Sequence, residues 1–426
     1  MDRKPTIAFH TLGCKLNFSE SSTFARQAES LGYEVVDTTV RPDLIVVNTC
    51  SVTATADKKG RNIIRRLHNR WPEALIGVTG CYAQLKPDEI AAIEGVAAVV
   101  GTRDKGDICR ILDEAYRRRR QIVLPCDADA VTEMFEAYSS GERTRSFLKV
   151  QDGCDYRCSY CTVPIARGHS RNAPIADIVR QAREIAAAGY TEIVLTGVNT
   201  GDFGRTTGES FLDLLKALEQ VDGILRYRIS SIEPNLLTEE IVRWIASGTK
   251  FLPHFHIPIQ SGCDRILRAM GRRYDTAFFA SRIAMIRDVM ESPAERGTRV
   301  FFGIDVITGF PGETEEEFQQ TYRFLEELRP AFLHVFPYSR RTGTRAAAMP
   351  AQVPERVKEG RVARLEELCH SLHESFREAN RGRSANVLFE STEKNGMMAG
   401  YTENYIRIER PYDSALIGRI SSEIID

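Results

Sequence analysis

The chain has 426 residues, 42% hydrophobic and 27% charged, with a formal net charge of -1. That composition excludes a disordered polyelectrolyte and a generally basic nucleic-acid binder, so any polyanion site must be a local patch. No stretch approaches the ~18 consecutive apolar residues of a membrane span, and the polar opening Met1 to Thr6 does not read as a secretory signal. A cytoplasmic protein with no membrane association is expected. Ten cysteines in such a chain argue for metal or redox chemistry over a disulfide framework.

Residues 1–120 alternate short apolar runs at 7–9, 44–47 and 75–78 with helical patterns at 19–31 and 56–70. Short runs without alternation are how strands buried on both faces read, so the rhythm predicts a parallel sheet with crossover helices. Residues 121–142 turn polar and are expected to be a linker. Residues 143–375 repeat a strand-then-helix unit, with strands at 147–150, 192–195, 227–230, 254–257, 301–306 and 332–336. Helices follow most of them, at 175–188, 211–219, 239–245, 276–290 and 315–328. These units are too few to close an eight-stranded barrel, so an open, partial barrel is expected, with one side free for a large substrate. A long helix is predicted over 354–383, and residues 376–426 are expected to form a small β-module with strands at 387–390, 405–409 and 416–424.

The densest chemistry lies in Gly153-Cys154-Asp155-Tyr156-Arg157-Cys158-Ser159-Tyr160-Cys161, directly after the first strand of the barrel region. Three thiolates in a loop this tight can wrap one face of an iron–sulfur cluster. Three ligands on a four-iron cluster leave one iron open to a chelating cofactor such as S-adenosylmethionine (SAM). A structural zinc site would want a fourth closed ligand, and no cysteine follows nearby, while His169 is eight residues on. A second set, Cys14, Cys50 and Cys81, is spread through the first region, each cysteine just after one of its strands. In a parallel sheet the carboxyl ends of the strands share one edge, so these three are expected to converge. Helix starts close behind them favour the thiolate. Cys109 and Cys369 lie among Ile and Leu at helical spacing and read as core, Cys126 falls in the linker, and Cys263 lacks partners at ligand spacing.

The loop carrying Cys154, Cys158 and Cys161, with Tyr160 before the last, resembles the radical SAM signature. Combined with the Cys14/Cys50/Cys81 set, the chain resembles the radical SAM methylthiotransferase family over essentially its whole length. The resemblance implies an α/β chain with a Rossmann-like N-terminal domain, a central partial (β/α)6 radical SAM barrel and a C-terminal TRAM-like module that grips RNA. Gly400-Tyr401-Thr402-Glu403-Asn404-Tyr405 and Leu416-Ile417-Gly418 sit where that module's turns belong. It also implies two 4Fe–4S clusters, Cys154/Cys158/Cys161 as the radical centre and Cys14/Cys50/Cys81 as the auxiliary one. SAM would serve twice, as methyl donor and as radical source. An external electron donor such as a flavodoxin or ferredoxin and a monomeric state are expected.

Strand ends supply the expected SAM contacts, because barrel sites are built there. They are Gly197 and Asn199 after the second strand, Glu233 after the third, Gln260 after the fourth and Asp305 in the fifth, with Tyr160 in the cysteine loop. Arg167, Arg171, Arg340, Arg341 and Arg345 are expected at the mouth as substrate contacts, since guanidinium groups suit phosphate and carboxylate. A basic helix face at Lys58, Lys59, Arg61, Arg65, Arg66 and Arg70 and a run from Arg117 to Arg120 are further candidates for RNA contact.

Among methylthiotransferases the segments 147–154, 164–168 and 334–344 are most similar to the branch acting on N6-threonylcarbamoyladenosine 37 in the anticodon stem-loop of tRNA. The isopentenyladenosine branch is the alternative within the family. A non-catalytic, metal-stabilised RNA-binding protein is the alternative outside it.

Overall fold

A computed structural model describes residues 4–141 and 143–426. The first six strands are β1 (Thr6–Thr11), β2 (Glu34–Val36), β3 (Leu44–Thr49), β4 (Leu75–Gly80), β5 (Val96–Val100) and β6 (Ile122–Leu124). They pair in parallel in the order β2-β1-β3-β4-β5-β6. β3 reads Leu-Ile-Val-Val-Asn-Thr with every residue buried, as a strand covered on both faces must. In this sheet β2, β5 and β6 are not expected from the sequence. β6 falls inside the expected linker and forms an edge of this sheet, so 122–124 belong to the first sheet rather than to a connection. Helices α1 (Lys15–Ser30) and α2 (Ala54–Arg70) follow β1 and β3.

The barrel strands are β7 (Ser146–Lys149), β8 (Glu192–Thr196), β9 (Arg226–Ile229), β10 (His254–His256), β11 (Phe301–Thr308) and β12 (Phe332–Pro337). They form two parallel three-stranded sheets, joined by bridges between Tyr227 and Phe251 and between Ser231 and His256. The result is the expected open barrel. Ile193, Leu195, Tyr227, Phe255, Phe302, Ile304, Val306 and Leu333 are buried in one core with the surrounding helices. By the two-residue period of a strand the alternate residues face the lumen: Glu192, Arg226, Arg228, His254, His256, Asp305 and His334. Caps fix the helix starts. Ser210, Thr238 and Asp275 accept from Asp213, Ile241 and Phe278 backbone N–H groups, and Thr314 and Glu317 form a capping box.

The last four strands, β13 (Ser384–Lys394), β14 (Met397–Tyr401), β15 (Arg407–Pro411) and β16 (Ile420–Ile424), form an antiparallel sheet ordered β15-β14-β13-β16. The helix Glu355–Asn380 runs through the 375/376 boundary, so the module begins later than residue 376. It sits under the amino-terminal ends of the barrel strands. Phe301 and Ala331 of the barrel share a core with Val387, Phe389, Met398 and Ile406. Arg228 donates to Thr402 O at 2.7 Å and Arg226 to Asn386 O at 3.1 Å. The module therefore closes the barrel floor.

Candidate active site

The auxiliary cysteines meet the expectation of a shared sheet edge. Cys14 is the N-cap of α1, Cys81 opens the helix Cys81–Leu85 directly after β4, and Cys50 directly follows β3. Gly13, at φ +104°, holds the chain so close to Cys50 that an added Cβ would lie 2.6 Å from the Cys50 Cβ. Only glycine fits that combination of backbone and contact. Cys50 interacts electrostatically with both Cys81 and Cys14, and burial pushes its thiol up to about 12. Cys154 interacts in the same way with Cys161 and Cys158, and burial pushes Cys161 up to about 12. None of the six cysteines is in a disulfide; Cys14 is exposed and the other five are half-buried. Gly153 holds the second loop tight, since a Cβ there would lie 1.9 Å from His169 O.

The two sets face one seam. Arg341 donates to Ser51 Oγ at 2.7 Å and to Asp57 at 2.6 Å, Ser339 Oγ accepts from Ala54 N at 3.0 Å, and Thr162 donates to Ser51 O at 3.4 Å. Behind the seam lies a buried ion network. Glu20 of α1 accepts from Lys105 at 2.5 Å, Lys149 at 2.8 Å and Arg167 at 3.2 Å. Asp152, two residues before Cys154, pairs with Lys149 at 2.7 Å, Arg167 at 2.9 Å, Lys105 at 3.2 Å and Arg171 at 3.3 Å. These cations hold Glu20 and Asp152 below the usual carboxylate range despite burial. Lys105, Lys149, Arg167 and Arg171 outnumber Glu20 and Asp152, and Arg167 also lies within electrostatic range of Cys81 and Cys14. A buried excess of positive charge beside thiols fits a thiolate-ligated, anionic cluster.

Among the described residues the buried atoms Asn199 Nδ2, Ser230 Oγ and Thr308 Oγ1 have no partner; they lie at the carboxyl ends of β8, β9 and β11, and of the three only Asn199 is among the expected SAM contacts. Asn199 is oriented by Gln151, which accepts from its N–H at 2.9 Å, and by Glu233, whose N–H donates to Asn199 Oδ1 at 3.2 Å. Gly197 lies against Gln151 and Thr200. Gln260 has φ +76°, a strained setting for a non-glycine residue, fixed by backbone bonds to Asp305 O and Ile307 N at 2.9 and 2.8 Å. Unsatisfied groups gathered at strand ends fit a polar cofactor such as SAM. Tyr160 packs against the cluster of Cys263, Met270 and Phe310.

Glu233 and Asp305 carry partners that the sequence does not suggest. Glu233 is paired with Arg272, whose Nη1 donates to Cys158 Sγ at 3.2 Å. Arg272 lies in no motif and escapes sequence reasoning. Asp305 is hydrogen-bonded to His256 at 2.6 Å in the lumen.

Three of the five arginines expected at the mouth lie elsewhere. Arg167 and Arg171 are 3% and 2% exposed and belong to the ion network, so neither presents a face to a substrate. Arg341 is the interdomain clamp to Asp57. Arg340 is on the exposed rim, donating to Ala347 O at 2.8 Å. Arg345 lines a cavity of about 330 Å³ together with Arg157, Cys158, Cys161 and Gly343. On α2, Lys58, Lys59, Arg65, Arg66 and Arg70 are exposed, whereas Arg117 and Arg118 pair with Asp113 and Glu114 one turn back.

Residues 148–325 match the family model described as the radical SAM superfamily, and residues 6–101 match the model of the uncharacterized protein family UPF0004. A solved structure of the radical S-adenosylmethionine methyltransferase TsrM from Kitasatospora setae, with cobalamin and a [4Fe-4S] cluster bound, superposes with a TM-score of 0.57. It is 16% identical, covering 80% of this chain and 74% of that one, and bears on the fold alone. Fold and cysteine geometry together define a radical SAM protein with an added cysteine-bearing α/β domain.

Among curated relatives, the threonylcarbamoyladenosine tRNA methylthiotransferase MtaB of Bacillus subtilis is 41% identical over 424 residues, 97% of this chain and 92% of that protein. The tRNA-2-methylthio-N(6)-dimethylallyladenosine synthase of Carboxydothermus hydrogenoformans is 30% identical, covering 96% and 94%. The chain belongs to the radical SAM tRNA methylthiotransferase family, beside the members named MtaB.

Proposed function

We propose that this protein transfers a methylthio group to C2 of N6-threonylcarbamoyladenosine at position 37 of tRNA. Its two cysteine sets would each hold a 4Fe–4S cluster, Cys154/Cys158/Cys161 as the radical centre and Cys14/Cys50/Cys81 as the site of sulfur delivery. The carrying observation is that the two sets open onto one interdomain seam, so that a single base can be served by both. SAM with a reduced cluster supplies one-electron chemistry able to remove hydrogen from an unpolarised C–H bond, which acid–base chemistry cannot do.

The chain's own residues then have distinct tasks. Asn199, Ser230 and Thr308 bind polar groups of the cofactor, and Glu233 and Gln260 line its place. Arg272 orients Glu233 and donates to the Cys158 sulfur. Arg341, Ser339 and Thr162 hold the N-terminal domain over the barrel and narrow the entry of water. The exposed basic face of α2, beside Cys50, is suited to the phosphates of an anticodon stem-loop. We assign a flavodoxin- or ferredoxin-like reductant, a monomeric state and a cytoplasmic location to the same reading. No helix among the described residues is long and apolar enough to cross a membrane.

The test is competition. The anaerobically reconstituted enzyme is offered tRNAs carrying threonylcarbamoyladenosine and isopentenyladenosine, and products are read by nucleoside mass spectrometry. Preferential methylthiolation of the first is expected. Preference for the second overturns the substrate, and zinc without labile sulfide in the purified protein overturns the enzyme.

A further inference from the structure

The barrel lumen below the cysteines is charged rather than apolar. His256, Asp305 and His334 stand on adjacent strands, with Asp305 in register with His334 and His256 with Gly303. The centres of the His256 and His334 rings are 5.0 Å apart, and one polar atom from each of the three side chains lies within 4.8 Å of the other two. Among the described residues His334 makes no hydrogen bond, and the buried His254 Nδ1 has no partner.

Lys15 joins this group from the other domain. It is the first residue of α1, directly after Cys14, and it is partly buried. Its ammonium lies within electrostatic range of Asp305 and Tyr405, and also of His334 and His254. Every neighbouring cation in the interior has a carboxylate: Arg145 has Glu390, Arg226 and Arg228 share Glu192, and Arg272 has Glu233. Among the described residues Lys15 makes no ion pair and no hydrogen bond. A half-buried cation with no counter-ion in contact can pair with a ligand that brings its own anion, and closing the site around that pair strengthens it. A divalent metal on His256, Asp305 and His334 would add a second positive charge beside Lys15, whereas a carboxylate would neutralise the first.

We propose that Lys15 is the specificity-determining residue that receives the carboxylate at the end of the adenosine N6 substituent, with His334 and the His256–Asp305 pair facing its hydroxyl and amide groups. This rests on the reading of the substrate given above and adds the residue that reads it. The placement couples recognition to chemistry, because the residue before Lys15 is a ligand of the auxiliary centre. An adenosine whose substituent pairs with Lys15 is thereby held at that centre. An isopentenyl group would instead leave Lys15 and His334 desolvated and unpaired.

Two measurements test the proposal. In the first, wild-type enzyme is given tRNA bearing threonylcarbamoyladenosine or its neutral methyl ester. A charge-assisted contact predicts that the ester loses about ten- to a hundredfold in kcat/KM. In the second, Lys15→Gln at full iron content is expected to lose about the same factor on the acid, chiefly in KM, and to treat acid and ester alike, while Lys15→Arg recovers part of the loss. Equal wild-type turnover of acid and ester overturns the proposal without any variant. So does a fully iron-loaded Lys15→Gln enzyme that still prefers the acid. Wild-type preference for isopentenyladenosine overturns the substrate reading itself, a separate result.

Discussion

Glu20→Gln gives the sharpest test of the buried ion network. Among the described residues Glu20 is the one carboxylate that the N-terminal domain brings to it, accepting from Lys105, Lys149 and Arg167. After the change Asp152 alone faces Lys105, Lys149, Arg167 and Arg171. Removing one partner from a buried pair costs about 3–5 kcal/mol. The glutamine carbonyl still accepts a hydrogen bond, so about 3 kcal/mol, the lower end of that range, is expected. The pH dependence has a definite sign. Glu20 and Asp152 are held below their ordinary values, so their contribution is complete above the unfolded carboxylate value of about 4 and is lost as pH falls through the lower folded values. The wild type should therefore lose stability on the acid side of about pH 4, and Glu20→Gln should show a smaller acid-side loss from a lower plateau. Burial also brings Lys149 down to about 8, and the loss of Glu20 should lower it further. The assay is anaerobic urea unfolding of iron-loaded protein near neutral pH, with iron content as control. A Glu20→Gln/Lys149→Met pair should recover part of the loss. A shift of less than about 1 kcal/mol, the value of a surface pair, would refute the reasoning.

The remaining predictions concern the centres and the floor. Replacing Cys154, Cys158 and Cys161 with alanine should remove about half of the bound iron, whereas the Cys14/Cys50/Cys81 variant should still cleave SAM to 5′-deoxyadenosine under reduction and yield no methylthio product. Arg272→Met removes a cation and a hydrogen bond from the Cys158 sulfur. Reduction of the cluster should then become harder, and a redox titration followed by electron paramagnetic resonance should give a more negative midpoint. Deleting residues 386–426 should leave Glu192, Arg226, Arg228 and Phe301 without their cover, and the truncated chain should unfold at lower urea or fail to stay soluble. Unchanged stability would show that the module is an appendage.

The legible features were those set by short-range pattern or by one topological rule. The barrel strands stood out because apolar runs alternated with amphipathic helices, and all six reappear as β7 to β12. The auxiliary cysteines followed from the rule that parallel strands share a carboxyl edge. β5, Val-Ala-Ala-Val-Val, lacked the bulk that marks a strand, and β6 has only three half-buried residues. Partners distant in the chain left no trace in local pattern. Arg167 meets Glu20 147 residues away, and Arg272 meets Cys158 across 114 residues. Neither pairing has a spacing that a sequence can display, so from sequence Arg167 reads as a residue of the mouth and Arg272 carries no signal.

The buried arginines also explain why bulk charge and arginine count mislead in this protein. Lys and Arg total 57 against 58 Asp and Glu, which suggests no anion site, while arginine clusters around the cysteine loop and after β12 suggest several. Both impressions come from treating every charge as exposed. Arg167, Arg171, Arg226, Arg228 and Arg341 are at most 9% exposed. All but Arg171 join one domain to another, where a planar fork with several donors can satisfy carboxylates and backbone carbonyls at once. Among the described residues Arg340 and Arg345 stay at the rim without a carboxylate, and two other kinds of cation have distinct settings. The exposed face of α2 meets solvent and can exchange counter-ions with a phosphate backbone, which gives affinity and salt dependence. Lys15, half-buried and, among the described residues, without an ion pair, can distinguish one modified base from another, because a ligand carrying its own anion pairs with it and a neutral one does not. Affinity for RNA and choice of nucleoside thus fall on different residues, and a charge change on α2 should alter tRNA binding without altering which modified adenosine is chosen.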